Sequence, residues 1–180
     1  MQENNKDRIS KFLSLVLRHD PGKIGLELDD QGWADVEELI SKAADKNMVF
    51  SRLELEEVVV TNDKQRFAYN ADKSKIRANQ GHSIDVELQL EKRQPPEVLY
   101  HGTVNRFLES IKAQGLQKMS RHHVHLSADR LTAEKVGSRR GQAVILIVRS
   151  GEMSRAGIEF YQSANGVWLT DSVPIEYIVF

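Results

Sequence analysis

The sequence predicts an α+β fold in two lobes, and three observations carry that reading. Helical apolar periodicity fills the first third of the chain, and strand-like runs fill much of the second half. Between them, at "LEKRQPPEV", two consecutive prolines withhold backbone donors and hold the chain extended. The boundary is placed near Gln94, giving lobes of residues 1–93 and 94–180. A chain of 180 residues can bury a sizeable core either as one domain or as two small ones.

From Asp7 to Leu17 the apolar residues Ile9, Phe12, Leu13, Val16 and Leu17 recur at i, i+3, i+4, i+7 and i+8, which is one face of a helix. Two further helices open with capping-box spacing, Asp35 before Glu38 in "DVEELISKAADKN" and Ser51 before Glu54 in "SRLELEEVVV". The runs "QRFAYN" and "SKIRAN", separated by "ADK", read as a β-hairpin. Three helices followed by a hairpin is the order of a winged-helix lobe. Beyond Gln94 the reading is a strand "VLYHGT", a helix "NRFLESIKAQ" closed by Gly115, a strand "HVHLS", a helix "LTAEKV" and a strand "AVILIV". The strand-like "IEFYQ", "GVWLT" and "EYIVF" complete a sheet-rich lobe whose strand order the sequence does not fix.

The absence of cysteine excludes disulfides, thiolate metal sites and a cysteine nucleophile. No stretch approaches the roughly 20 apolar residues of a membrane span, and "MQENNKDRIS" lacks the apolar core of a signal peptide. A soluble, cytoplasmic monomer is therefore expected. The net charge of −1 conceals local grouping, since "LRH", "DKQRF", "KSKIR", "MSRHH" and "GSRRG" gather the basic residues into islands. Such islands in a neutral chain suit a discrete phosphate-bearing ligand better than long duplex binding.

Arg18 and His19 end the first helix just before Asp20-Pro21. Cations at a helix C-terminus face the negative end of its dipole, so the pair serves either as a cap or as the grip on an anion. Arg66 enters a strand, where arginines are commonly just solvated. His101, Gly102 and Thr103 stand at a strand end, where a glycine lets a ligand approach and its neighbours offer hydrogen bonds. Arg121, His122, His123 and His125 lie within five residues, and His123 and His125 share a strand face on which a metal could bind. With no cysteine and no H-E-x-x-H spacing, no metal site is assigned. "KVGSRRGQAVILIV" is a basic turn with a plain solvated reading. Neither G-x-G-x-x-G nor G-x-x-x-x-G-K-[ST] occurs, so any dinucleotide binds by another mode.

Taken together and in order, "SKFLSLVLRHDP", "GWADVEELI", "DKQRFAY", "IRANQGHS", "LYHGT", "RHHVHLSAD", "KVGSRRG" and "NGVWLT" resemble the RNA 2′-phosphotransferase family over nearly the whole chain. The resemblance implies a winged-helix, RNA-binding first lobe and a second lobe similar to ADP-ribosyltransferases, with the active site in a cleft between them. It implies NAD as a consumed co-substrate and RNA with an internal 2′-phosphate as partner. In the implied first step the 2′-phosphate attacks C1″ of NAD and expels nicotinamide. In the second, O2″ attacks phosphorus, giving RNA with a free 2′-OH and ADP-ribose 1″,2″-cyclic phosphate. The family's essential Arg-His-Arg-Arg set carries over to Arg18, His19, Arg66 and Arg121. By the same resemblance His101, Gly102 and Thr103 belong near the adenosine ribose or pyrophosphate, His125 and Ser127 near the nicotinamide ribose, and Arg139 and Arg140 near the dinucleotide phosphates. Many protein-modifying members of that superfamily use a catalytic glutamate, for which "NGVWLT" offers only Asn165. The alternative activity is mono-ADP-ribosyl transfer to nucleic acid or protein.

Overall fold

The computed structural model describes residues 3–62, 64–88 and 90–180, and it is mixed α and β. The chain divides into two compact units, residues 1–89 and residues 90–180.

The first unit opens with helix α1 (Glu3–Arg18), whose predicted stripe is its buried face: Ile9, Leu13, Val16 and Leu17 are all fully buried. The helix stops where Pro21 disfavours helical backbone at Asp20, which takes φ −148° and ψ 71°. The Asp20 carboxylate then accepts from the Lys23 amide and caps a single 3₁₀ turn, Pro21–Ile24. Strand β1 (Ala34–Asp35) leads directly into α2 (Val36–Ala44), and α3 (Arg52–Val60) follows. Asp35 caps α2 by accepting from the Glu38 amide, while at α3 the reciprocal box of Ser51 and Glu54 is complete. Strands β2 (Phe67–Tyr69) and β3 (Lys75–Ala78) form the expected antiparallel hairpin. β1 adds to its other side, giving the order β1-β3-β2. Arg66 stands one residue ahead of β2, not inside it. Ile76 and Phe67 turn from the hairpin into the core beneath α1, with Leu39 and Leu55 from the other helices.

In the second unit every strand pairing is antiparallel. Its elements begin with β4 (Glu91–Lys92), β5 (Leu99–Val104), α4 (Leu108–Gln114) and β6 (Leu116–Gln117). β7 (Val124–Leu126), α5 (Arg130–Gly137), β8 (Ala143–Val148) and α6 (Ser150–Arg155) come next. The chain ends with β9 (Tyr161–Gln162), β10 (Trp168–Thr170), β11 (Ser172–Val173) and β12 (Ile178–Val179). The orders are β12-β8-β5, β4-β9-β10-β7 and β11-β6. Reciprocal backbone bonds between Tyr100 and Ser127 tie the first of these sheets to the end of β7. The predicted strand "EYIVF" is shorter than expected, because Pro174 begins a 3₁₀ turn that takes Glu176 and Tyr177 before β12 starts. Helix α6 has no sequence signal: it is six residues long, and its buried positions include Ser150 and Gly151.

β5 presents two different faces. Leu99, His101 and Thr103 alternate onto the side that meets the core with Leu146 and Val148, their neighbours across the β8 register. Gly102 falls on the other side, against α5, where an added Cβ would lie 1.8 Å from the Ala133 carbonyl oxygen. Gly137 makes the matching approach from the helix, its own Cβ position being 3.0 Å from the Thr103 carbonyl. The glycine of "HGT" is therefore required for helix-on-strand packing, a reason different from ligand access.

Candidate phosphate and nucleotide site residues

In the first unit Arg18, His19 and Arg66 are neighbours. The backbone carbonyl of Arg18, exposed by the end of α1, accepts from the Ser83 amide at 2.9 Å. A hydrogen bond thus already closes the helix end, and the Arg18 side chain turns elsewhere. Its Nη2 approaches the Arg66 carbonyl at 3.4 Å, and its guanidinium carbon stands 5.8 Å from the centre of the Phe67 ring. The exposed His19 ring is oriented by Ser83, whose Oγ lies 2.9 Å from Nδ1. The backbone of Arg66 is fixed on both sides: its amide points at Asn62 Oδ1 (3.4 Å), and its carbonyl accepts from the Asn79 amide (2.9 Å). The Asn79 side chain donates in turn to the Gln65 carbonyl, holding Gln65 at the positive φ of 41° that swings the chain into β2. No described carboxylate pairs with the Arg66 guanidinium, whereas Arg52, Lys73 and Lys75 in the same unit all have one.

Ser83, Asn79 and Asn62 had no assigned role in the sequence. The signal for two of them was present in "IRANQGHS", where polar residues follow a strand without continuing its alternation.

In the second unit Arg121, His125, His101 and Arg140 form another group. Arg121 Nη1 lies 3.3 Å from His125 Nδ1. A guanidinium only donates, so this Nδ1 accepts and the ring proton of neutral His125 sits on Nε2. His101 Nδ1 lies 3.0 Å from the His125 carbonyl, which only accepts, so His101 carries its proton on Nδ1 and keeps a lone pair on Nε2. Burial beside the second core depresses the His101 pKa; the bond to the His125 carbonyl opposes this, and the charges of Arg121 and Arg140 reinforce it. His101 is thus a neutral acceptor at physiological pH. Desolvation of the guanidinium, in a residue that is exposed as a whole, and then the charge of Arg140 lower the Arg121 pKa without removing its charge.

Thr103 is buried on the same strand face as His101, and Ser127 is partly buried beside Tyr100. Arg139 and Arg140 end a 3₁₀ turn after α5 and are exposed. His123 turns its ring toward Tyr161, 5.6 Å between centres, while His125 engages Arg121. Among the described residues no group of three or more His, Asp or Glu side chains is arranged to hold a metal ion. No described helix is long and apolar enough to cross a membrane.

Comparison with known proteins shows the family. The family model described as RNA 2′-phosphotransferase, Tpt1 / KptA family, matches residues 4–172. A protein of Flavobacterium johnsoniae named "Probable RNA 2′-phosphotransferase" is 63% identical over 180 residues, covering 100% of this chain and 99% of its own length. Proteins of the same name from Burkholderia pseudomallei and Streptomyces griseus are 55% and 50% identical. Those two alignments cover 96% and 99% of this chain, and 94% and 98% of the relatives. With the match running from the first turn of α1 to β11, through both groups of basic residues, the chain belongs to the RNA 2′-phosphotransferase (Tpt1/KptA) family.

Proposed function

We propose that the protein is an NAD-dependent RNA 2′-phosphotransferase that removes an internal 2′-phosphate through an ADP-ribosylated RNA intermediate. The observation that carries the proposal is the convergence of Arg18, His19 and Arg66 in one unit, at the end of α1 and the approach to β2. Two guanidiniums and an imidazole gathered in this way suit an anion. Family membership names that anion as phosphate on RNA. In this reading the first unit is a winged-helix lobe and the second an ADP-ribosyltransferase-like lobe.

Arg18, Arg66 and Arg121 hold the 2′-phosphate, each offering planar donors that stay charged at any physiological pH. His19, whose ring is oriented by Ser83, moves the protons required when O2″ attacks and the RNA oxygen departs. NAD, when bound, would supply the electrophilic C1″ with nicotinamide as its leaving group, and the ribose O2″ that takes the phosphoryl group from RNA. The residues of the second unit suit a dinucleotide in one checkable respect: the Nε2 lone pair of His101 can accept from a ribose hydroxyl. His125, Ser127 and Thr103 contribute further polar atoms nearby, and Arg139 and Arg140 contribute charge for the pyrophosphate. Gly102 takes part through the packing of β5 against α5.

The deciding experiment offers purified protein an RNA with one internal 2′-phosphate, with and without NAD. Expected products are RNA with a 2′-OH, nicotinamide and ADP-ribose 1″,2″-cyclic phosphate, with no loss of rate in EDTA because the arginines supply the positive charge. Turnover without NAD, or abolition by EDTA with rescue by zinc or magnesium, defeats the proposal. Stable ADP-ribosylation of RNA or protein without phosphate removal favours the mono-ADP-ribosyltransferase reading.

A further inference from the structure

The basic residues of the second unit fall into two populations. Lys92, Arg93, Lys112, Lys118, Arg149 and Arg155 each meet a carboxylate within ion-pair distance. Arg106, Arg121, Arg130, Lys135, Arg139 and Arg140 have no such partner among the described residues, and all six are exposed. Apart from Arg106, the second population lies within residues 121–140. The acids in that stretch, Asp129 and Glu134, leave it net positive, and Asp129 is engaged in capping α5 through the Thr132 amide. A surface that leaves its cations unneutralised suits a polyanion.

Arg106 connects to this stretch through an aromatic ring. Phe107, 36% exposed at the start of α4, has the Arg106 guanidinium carbon 4.8 Å and the Arg140 guanidinium carbon 5.9 Å from its centre. Arg140 is close enough to His101 and Arg121 for its charge to bear on both. The order Arg106, Phe107, Arg140, then Arg121 with His101 is thus continuous from an exposed aromatic platform to the group assigned to phosphate and NAD. An exposed ring flanked by guanidiniums is what a single-stranded nucleic acid uses: the ring stacks a base and the cations follow its phosphates.

In the first unit guanidiniums also stand over rings, Arg77 4.4 Å from the centre of Trp33 and Arg18 5.8 Å from that of Phe67, but Trp33 is only partly exposed and Phe67 is buried. The charges of helix α3 are largely paired, Glu56 with Lys73, Glu57 with Lys6 and Arg52 with Glu37, and its solvent-exposed apolar residues are Leu53 and Val60. A face whose cations are already paired offers a phosphodiester backbone little to hold.

We propose that the RNA chain flanking the 2′-phosphate runs over the second unit, with one base stacked on Phe107 and a backbone phosphate held by Arg106. This inference rests on the RNA 2′-phosphotransferase reading for the identity of the polyanion. It makes the bound flank of the RNA single-stranded, with its base unstacked from the chain and its backbone within reach of Arg106.

The test uses the full chain and needs no turnover. Fluorescence anisotropy measures binding of a short single-stranded RNA bearing an internal 2′-phosphate, and calorimetry measures binding of NAD. Phe107→Ala is expected to weaken RNA binding by about 5- to 100-fold, while Phe107→Trp, which keeps a stacking face, retains it. Arg106→Gln is expected to reduce the slope of log K against log salt by about 0.7, one single-strand phosphate contact. NAD affinity stays at the wild-type value in all three variants. Weakened NAD binding with unchanged RNA binding overturns the proposal and makes Phe107 a platform for the dinucleotide's adenine. Unchanged RNA binding in Phe107→Ala, with unchanged salt slope in Arg106→Gln, overturns it in favour of a merely solvated surface. A wild-type protein that binds the RNA through Phe107 yet releases no nicotinamide defeats the proposed function and leaves this interface standing.

Discussion

Ser83 bonds to both members of the Arg18–His19 pair, its amide donating to the Arg18 carbonyl at 2.9 Å and its hydroxyl lying 2.9 Å from His19 Nδ1. The amide bond ends the helix, and the hydroxyl orients the imidazole just beyond it. In the proposed mechanism Ser83 is thus a positioning residue, acting through His19. Removing the hydroxyl in Ser83→Ala keeps the amide bond and loses about 1 kcal/mol of ring orientation, or roughly fivefold in rate. The expected signature is a lower kcat with a displaced pH–rate profile, unchanged melting temperature, and recovery in Ser83→Thr. A variant with wild-type kcat and profile at all pH values shows that Ser83 serves only the helix end.

The contact between β5 and α5 gives a prediction about folding. A methyl at Gly102 would overlap the Ala133 carbonyl at 1.8 Å, a backbone atom that cannot rotate away, whereas at Gly137 the nearest contact is 3.0 Å. Overpacking a tight contact costs about 1–3 kcal/mol, and Gly102→Ala belongs at or above the upper end. Gly137→Ala gains helix propensity that offsets part of its strain, so denaturant titration should rank wild type above Gly137→Ala and Gly137→Ala well above Gly102→Ala. A Gly102→Ala protein as stable as wild type would show that the ligand-approach reading of this glycine was the better one.

These two contacts mark what could be read from sequence and what could not. The α1 stripe was legible because apolar residues at helical spacing have one economical explanation, and the Ser51–Glu54 box because both halves of its reciprocal bond are local. The role of Gly102 was not: glycine before threonine at a strand end reads equally as ligand access or as packing, and the deciding atom, the Ala133 carbonyl, lies about thirty residues away on α5. Ser83 escaped for the same reason, since its partners are 64 and 65 positions back along the chain. Helix α6 escaped because its buried positions include serine and glycine, which carry no hydrophobic period.

His101 sets a pH dependence for stability. Its folded pKa lies below the ordinary imidazole value of 6.5, chiefly through burial, so between the two values the unfolded chain binds a proton that the folded chain refuses. With more protons on the unfolded state, unfolding free energy rises with pH across this window. Read downward, stability starts to fall near 6.5 and stops falling on this account once the folded pKa is passed. His101→Asn keeps a donor toward the His125 carbonyl but cannot titrate, so its denaturation midpoint should depend less on pH through this range. His123, whose pKa burial also depresses, supplies a remaining slope. Equal slopes in wild type and His101→Asn would show that His101 takes up its proton in the folded protein as readily as in the unfolded chain.

The last prediction separates the two steps of the proposed reaction by where charge develops. When the 2′-phosphate attacks C1″, it passes from a dianionic monoester to a monoanionic diester, so negative charge at phosphorus declines along the path. Cations at the phosphate therefore bind the ground state of this step without favouring its transition state. In the second step O2″ adds to phosphorus through a crowded five-coordinate arrangement, charge builds on the phosphoryl oxygens, and donors aimed there lower the barrier. Proton transfer also belongs to this step, and only His19 among the four assigned residues can perform it near neutral pH. Arg66 is suited to the charge that builds, since Asn62 and Asn79 fix its backbone while no described carboxylate draws its guanidinium away. Arg66→Ala and His19→Ala should therefore slow the second step more than the first. The expected readout is a slower-migrating, NAD-dependent RNA that accumulates before product in a time course on a denaturing gel. Equal slowing of substrate loss and product formation, with no such species at any time, would place both residues in binding or in the first step.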